Sequence, residues 1–266
     1  MLRREAVIEP RTALVGGGAT GIGRAAAQRL ADSGLRVVLC GRREHLLREA
    51  ARDIADVSGS EVRCVVGDLA DDRFAAGLVD DVESRIGPVD VLVANAGGSA
   101  PGRILTVGDA AWQHGLELLL LGPLRLARAA LPRMAARGFG RVVVVTSTAV
   151  RKPEPDLAVS VVLRSAVTAA AKLLAREYAA DGVTVNCVAP GATATARRDE
   201  ILAAAAAATG KAIAELERSE LATIPAGRPG DPGEVGSAIA FLASEAAGYI
   251  NGTVLTVDGG RTEAIW

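Results

Sequence analysis

The stretch Thr12-Ala-Leu-Val-Gly-Gly-Gly-Ala-Thr-Gly-Ile-Gly23 decides the fold of this chain. A short apolar run ends at Val15, glycines follow it, and a helical pattern begins near Ala19. Glycine permits positive φ and close approach of the backbone to an anion, while the first turn of a helix presents free N–H groups. This spacing, in the first strand–loop–helix unit, predicts a loop that binds the pyrophosphate of a dinucleotide. The alternative is a tight turn with a purely structural role.

Outward from this loop, short β-branched runs alternate with longer helical patterns along the whole chain. We predict strands at 12–16, 36–40, 62–66, 89–94, 141–146, 183–189 and 253–257. We predict helices at 19–33, 44–57, 71–86, 107–136, 157–180, 194–221 and 232–244, with Gly122-Pro123 as a point where the long fourth helix can break.

This alternation predicts an α/β fold, with residues 1–266 forming a single doubly wound Rossmann-type domain. Because β-α-β crossovers are right-handed, the expected sheet has seven parallel strands in the order 3-2-1-4-5-6-7, with helices on both faces.

Composition excludes several classes of function. The 266 residues carry 30 basic and 31 acidic side chains, which gives a formal net charge of −1. This balance provides no general attraction to nucleic acid or to an anionic membrane. The charged N-terminal stretch lacks the apolar segment of a signal peptide, and no apolar run approaches about 20 residues without charge. We therefore expect a small-molecule partner, no membrane span and a cytoplasmic location.

Cysteine and histidine usage argues against a metal site. Cys40, Cys64 and Cys187 lie far apart in apolar, strand-like runs, which is typical of buried thiols in a reducing compartment. The only histidines, His45 and His114, are too few for a histidine-based zinc site.

The end of the second predicted strand indicates which dinucleotide is bound. A carboxylate at this position would accept hydrogen bonds from the adenosine ribose and favour NAD(H). The chain has Gly41 followed by Arg42 and Arg43. A guanidinium can pair with a 2′-phosphate through two hydrogen bonds, so Arg42 predicts NADP(H) rather than NAD(H). The alternative is a solvated arginine at the start of a helix.

Five motifs follow one another in an order that resembles the short-chain dehydrogenase/reductase superfamily over nearly the whole chain. They are Gly17-xxx-Gly21-Ile22-Gly23, Asp68-Leu69, Asn95-Ala96-Gly97, residues 185–191 with Thr195 downstream, and Val257-Asp258-Gly259-Gly260. The resemblance implies that Asp68 contacts the adenine and that residues 185–191 lie by the nicotinamide. Together with Arg42, it implies cofactor contacts from Gly17, Gly21, Ile22, Gly23, Asp68, Leu69, Asn95, Ala96, Gly97, Arg164, Pro190, Gly191 and Thr195.

The same resemblance implies a catalytic serine, tyrosine, lysine and asparagine, of which this chain keeps only the serine, Ser147. Ser160 stands at the tyrosine position, Arg164 at the lysine position and Leu119 at the asparagine position. Neither Tyr178 nor Lys172 has the spacing to substitute. The pattern resembles a 3-oxoacyl-ACP-reductase-like branch in which Ser-xxx-Arg replaces Tyr-xxx-Lys. Our catalytic candidates are therefore Ser147, Ser160 and Arg164.

Further residues near this site have open roles. Arg151 or Lys152 can bind an anionic substrate and Glu154 can act as an acid or base, or all three are solvated loop charges. His114 is more typical of a helix surface than of a proton donor here.

Residues 194–225 correspond to the segment that covers the pocket in relatives. Relatives are commonly dimers or tetramers, and the apolar run 118–121 is consistent with such an interface.

Three functions remain open at this point. The first is an NADP(H)-dependent oxidoreductase acting on a carbonyl or alcohol, with its proton relayed through water. The second is a dehydratase, cyclase or isomerase on the same scaffold, in which the serines and the arginine stabilise an oxyanion. The third is a non-catalytic NADP(H)-binding protein. Fold alone does not distinguish them.

Overall fold

The computed structural model describes residues 10–265, so the predictions for the N-terminal stretch lie largely outside the described residues. The strands are β1 Thr12–Gly16, β2 Arg36–Gly41, β3 Val62–Val66, β4 Val89–Ala94, β5 Gly140–Val145, β6 Val183–Pro190 and β7 Val254–Val257. They form one seven-stranded sheet in the order β3-β2-β1-β4-β5-β6-β7, and every pairing is parallel. The predicted fold class and strand order are confirmed.

Nine α-helices lie among the described residues. They are α1 Gly21–Asp32, α2 Glu44–Ser58, α3 Asp72–Arg85, α4 Asp109–Leu116, α5 Gly122–Ala136, α6 Ala158–Glu177, α7 Ala196–Thr209, α8 Ile213–Leu221 and α9 Pro232–Ala243. One apolar core holds α3, α5 and α6 on one face of the sheet, and a second holds α1, α2 and α9 on the other. Burial on both faces explains why β1 and β5 are apolar along nearly their whole length.

The predicted helix 107–136 is interrupted. Residues Glu117–Leu121 form a π-helical turn between α4 and α5. Gly122 packs so closely on the loop after β3 that an added Cβ would lie 2.6 Å from the carbonyl oxygen of Leu69. The break is therefore at the predicted place, and this tight tertiary contact accompanies it.

The apolar run 118–121 is mostly an internal feature. Leu118 and Leu119 are buried in the chain's own core, which removes half of the run from any interface. Apolar side chains that remain exposed on α4 and α6 are Leu116, Val162 and Leu173. Helix α6 has the length and apolar composition to cross a membrane, yet seven of its residues are buried within the fold.

The predicted helix 194–221 is two helices. Gly210 ends α7 in the left-handed conformation with φ +71°, and α8 begins three residues later. Arg198 of α7 joins the two helices through ion pairs of 2.9 Å to Glu217 and 2.8 Å to Glu220. The segment expected to cover the pocket is thus a helix pair.

The cysteines are unpaired thiols. Cys40 and Cys187 are buried, and desolvation raises the pKa of each to about 12. Cys64 is only half-buried, because β3 is an edge strand, so the expectation that all three are buried is wrong for this residue.

Candidate active site

The loop between β1 and α1 depends on three glycines. Gly17 and Gly21 have φ values of +59° and +54°, a conformation that costs an L side chain strain. A Cβ at Gly23 would collide with the carbonyl oxygen of Gly17. Asn95, directly after β4, holds the loop in place, since its Nδ2 donates to the carbonyl oxygen of Gly16 at 3.0 Å. The loop therefore leaves backbone N–H groups at the start of α1 facing the carboxyl edge of the sheet.

Some of the other predicted cofactor residues contact this loop, and others lie at the ends of neighbouring elements. Leu69 is buried with its side chain against Gly16, and Thr195 packs on Gly21, whose added Cβ would lie 3.2 Å from the threonine methyl group. Pro190 and Gly191 end β6 beside Asp258, and the Gly191 N–H donates to the carbonyl oxygen of Val257 at 2.9 Å. Three further members lie close by: half-buried Ile22, half-buried Ala96 and exposed Gly97.

Two arginines lie between β2 and the glycine loop. Arg42 makes an ion pair of 3.7 Å with Asp68, and both side chains are substantially exposed. Asp68 also accepts a hydrogen bond from the Ala70 N–H at 3.0 Å. Arg43, which the sequence analysis did not single out, donates from Nη2 to the Thr20 hydroxyl inside the glycine loop at 3.3 Å. The Arg43 guanidinium therefore borders the glycine loop, and that of Arg42 lies at Asp68.

Ser160 and Arg164 of α6 lie at the carboxyl end of β5, the strand after which Ser147 follows. Arg164 donates from Nη1 to the carbonyl oxygen of Val145 at 2.5 Å and from Nε to the Ser160 hydroxyl at 3.2 Å. Ser147 lies two residues beyond Val145, and its hydroxyl oxygen accepts the Ala149 N–H at 3.1 Å. The serine protons are not committed by these contacts, so both hydroxyls can still donate.

The electrostatics of Arg164 are unusual for an arginine. Burial, followed by the nearby charge of Arg197, lowers the pKa of Arg164 to about 10. A guanidinium with this pKa is still protonated at neutral pH. It can stabilise negative charge and donate hydrogen bonds, but it does not release a proton readily. Leu119, at the position where an asparagine was expected, is buried and apolar.

The charges of the loop after β5 are turned towards the C-terminal part of the chain. Arg151 donates to the Thr256 hydroxyl at 3.2 Å, and Glu154 pairs with Arg261 at 3.1 Å. Lys152 lies 3.8 Å from Glu263. These contacts support a role in tying the loop to the C-terminal segment rather than the substrate and acid–base roles considered above.

The alternative proton donors lie away from this cluster. His114 is exposed on α4, as expected of a helix-surface residue. Lys172 donates to the carbonyl oxygen of Gly252 at 2.9 Å, near the start of β7.

Sequence reasoning missed Arg197 and Ser99. Arg197, in the first turn of α7, donates from Nη2 to the carbonyl oxygen of Ser99 at 2.5 Å. Ser99 follows the Asn95-Ala96-Gly97 motif by two residues and is buried. The two residues are 98 positions apart in the chain, so no local pattern could have paired them.

The fold and site define a dinucleotide-binding α/β protein of the doubly wound type. The family profile described as Enoyl-(Acyl carrier protein) reductase matches residues 17–262. The 3-oxoacyl-[acyl-carrier-protein] reductase FabG of Salmonella typhimurium is 32% identical over 253 residues, which cover 95% of this chain and 97% of the relative. The chain therefore belongs to the short-chain dehydrogenase/reductase family.

Other relatives carry different named activities. A cis-4-hydroxycyclohexanecarboxylate dehydrogenase of Sinomonas cyclohexanicum is 37% identical, with 95% of this chain and 96% of the relative covered. The structure of an L-sorbose reductase from Gluconobacter frateurii with NADPH and L-sorbose has a TM-score of 0.90 at 32% identity, covering 97% and 98% of the two chains. An actinorhodin polyketide ketoreductase with NADPH has a TM-score of 0.91 at 32% identity, covering 96% and 98%.

Proposed function

We propose that this chain is an NADP(H)-dependent oxidoreductase that interconverts a carbonyl compound and an alcohol at an atypical site formed by Ser147, Ser160 and Arg164. The observation that carries this proposal is that one chain combines an intact glycine loop with a partly buried guanidinium and two hydroxyls at the carboxyl end of β5. The proposal is favoured over a non-redox enzyme because the glycine loop and its surroundings are complete.

The residues at the carboxyl edge fit NADP(H). Gly17 and Gly21 keep the loop free of side chains where a pyrophosphate would lie, and the start of α1 supplies N–H donors. Arg42 and Arg43 would hold the 2′-phosphate, since they follow β2 directly and each makes only an exposed, weak contact, with Asp68 and Thr20 respectively. Arg164 would donate to the nicotinamide ribose.

The chain's own groups would act as follows in the reductive direction. When bound, NADPH supplies the hydride for the carbonyl carbon. Ser147 donates its hydroxyl proton as a hydrogen bond to the substrate oxygen, and the Arg164 charge stabilises the negative charge that develops there. Ser160 is a far weaker acid than a phenol, so it positions a water that delivers the proton. Relative to a site with a positioned general acid, we expect turnover slower by about 10² to 10⁴.

The assembly and location of the protein are also proposals. We infer a homodimer or homotetramer that covers Val162 and Leu173 of α6, which are 42% and 60% exposed. Light scattering that shows only a monomer would contradict this inference. The charge balance and composition are consistent with a cytoplasmic enzyme.

Two measurements on the purified chain test the proposed function. NADPH binding is followed by the change in the cofactor's own fluorescence, and NADPH oxidation is followed across a panel of ketones and oxo acids. We expect saturable binding and slow, protein-dependent oxidation with at least one carbonyl compound. Tight binding with no oxidation would indicate a non-catalytic NADP(H)-binding protein, and substrate conversion without cofactor would indicate the non-redox enzyme.

A further inference from the structure

Arg197, in the first turn of α7, contacts the loop after β4. Its guanidinium lies on Gly98, where an added Cβ would come within 2.5 Å of Nε. It donates to the Ser99 carbonyl oxygen and pairs with Glu200 at 3.1 Å, but the Glu200 side chain is 64% exposed. Because a guanidinium has further N–H donors beyond these two contacts, Arg197 retains donors for a ligand.

Arg164 is a second cation at the carboxyl edge of the sheet. Within residues 10–265, no carboxylate lies within ion-pair distance of Arg164, whose contacts are the Val145 carbonyl and the Ser160 hydroxyl. The acidic residues of the loop after β5, Glu154 and Asp156, are paired with Arg261 and Arg103. Burial, and after it the charge of Arg197, lowers the pKa of Arg164.

Ser99 supplies an independent sign of a missing ligand. Its side chain is 3% exposed, and its hydroxyl oxygen has no hydrogen-bond partner in the part of the chain that the structure describes. Buried hydroxyls are almost always hydrogen-bonded, because leaving one without a partner is costly. The hydroxyl belongs to the same residue whose carbonyl oxygen binds Arg197.

We propose that the substrate carries a carboxylate and that Arg197 and Ser99 form its receptor. Both residues donate hydrogen bonds to the carboxylate oxygens. The substrate class is therefore an oxo acid and the corresponding hydroxy acid, an inference that rests on the proposed function.

The alternative ligand for Arg197 is the pyrophosphate of the cofactor. Thr195, two residues earlier, packs on Gly21 of the glycine loop, whereas Arg197 lies on Gly98 and Ser99, beyond the Asn95-Ala96-Gly97 motif. This offset favours the substrate, and it makes the two ligands separable by experiment.

The test compares cyclohexanecarboxylate with cyclohexanecarboxamide, which match in size and differ in charge. Each is titrated by ligand-observed NMR against the protein with and without NADP⁺, and NADPH affinity is measured separately by fluorescence. We expect the carboxylate to bind at least about tenfold more tightly than the amide. Arg197→Met should remove this preference and leave the NADPH dissociation constant within about twofold, whereas Arg197→Lys should restore part of it.

Two further variants sharpen the result. Ser99→Ala should weaken carboxylate binding by about threefold or more, because it removes a donor. Arg218→Met, on the exposed face of α8, is the matched control and should change nothing. Equal binding of the two probes, or no binding of either, would overturn the proposal. So would loss of NADPH affinity in Arg197→Met with carboxylate binding unchanged, since Arg197 would then serve the cofactor. Failure of NADPH to bind the unaltered protein would instead reject the proposed function, and the titration without NADP⁺ would still report on the receptor.

Discussion

The Arg164 guanidinium and the backbone of Val145 are joined by a hydrogen bond of 2.5 Å from Nη1 to the carbonyl oxygen. This bond holds a cation at the carboxyl end of β5, two residues before Ser147. The Ser160 hydroxyl, one helical turn before Arg164, accepts a hydrogen bond from the same guanidinium. A phenol and an ammonium group would move a proton here, whereas this arrangement binds and orients without an acid of suitable pKa.

Restoring the phenol should therefore raise carbonyl reduction. In the double variant Ser160→Tyr with Arg164→Lys, we expect NADPH-dependent reduction to increase by up to about 10²-fold, because a positioned general acid is regained. The single variant Arg164→Lys is the control and should show no such gain. Initial rates of NADPH oxidation with a fixed ketone measure the effect. No increase in a double variant that is folded and binds NADPH would refute the placement of Ser160 and Arg164.

The preference for a 2′-phosphate should depend on Arg42 and Arg43. Replacing both by alanine removes two guanidinium groups at the edge of the glycine loop and should weaken NADPH binding by about tenfold or more, with NADH binding little changed. Fluorescence titration with each cofactor gives the ratio of the two dissociation constants. Arg48→Ala is the matched control, since Arg48 lies on α2 and pairs with Glu44. An unchanged ratio in the Arg42 and Arg43 variant would place the phosphate elsewhere.

Gly23 should tolerate no side chain. Gly23→Ala would put a methyl group against the Gly17 carbonyl, so we expect a lower melting temperature and loss of measurable NADPH binding. Gly77→Ala is the control: it lies within α3, and an added Cβ meets nothing within 4 Å. Because alanine is the better helix former, Gly77→Ala should stabilise the fold by about 0.5–1 kcal/mol. Normal cofactor affinity in Gly23→Ala would contradict the loop geometry.

Acid stability should depend on Glu234 at the start of α9. The Arg228 side chain, followed by the Asp231 N–H, lowers the pKa of Glu234 from 4.5 to about 2. A carboxyl whose pKa is depressed in the folded state stabilises the fold above its unfolded pKa, and this contribution is lost as the pH falls from about 4.5 towards 2.

Glu234→Gln therefore removes a contribution that the unaltered protein has at pH 7 and loses progressively below pH 4.5. We expect the variant to melt at a lower temperature than the unaltered protein at pH 7, with the difference shrinking at pH 3. Thermal melts by circular dichroism at the two pH values measure this, and Glu263→Gln, near the C-terminus, is the control. A difference that is the same at both values would contradict the assigned titration.

Local patterns were sufficient to predict most of the architecture. The strand–glycine–helix unit at 12–32 depends on residue spacing within one segment. The apolar runs of the strands are long enough to be recognised in the sequence. The π-helical turn at Glu117–Leu121 could not be predicted from local patterns, because a run of leucines favours an ordinary α-helix. The close contact of Gly122 with Leu69 is a tertiary contact, which local patterns do not show.

The candidate site was predictable only in part for the same reason. Motif spacing predicted Ser147, Ser160 and Arg164 as one site, and the structure shows a hydrogen bond between Arg164 and Ser160. The contact of Arg197 with Ser99 and that of Glu154 with Arg261 join residues about a hundred positions apart. Such contacts decide whether a charged side chain lies at the site or at the C-terminal segment. The orientation of these side chains could therefore be learned only from the structure.

The central claim is that the glycine loop binds NADP(H), and a fluorescence titration of the purified chain with NADPH and with NADH tests it most directly. We expect saturable binding of both, with NADPH bound at least about tenfold more tightly because of the guanidinium groups beside the loop. Absence of binding by either dinucleotide, in a protein shown to be folded, would contradict the claim and leave only the scaffold.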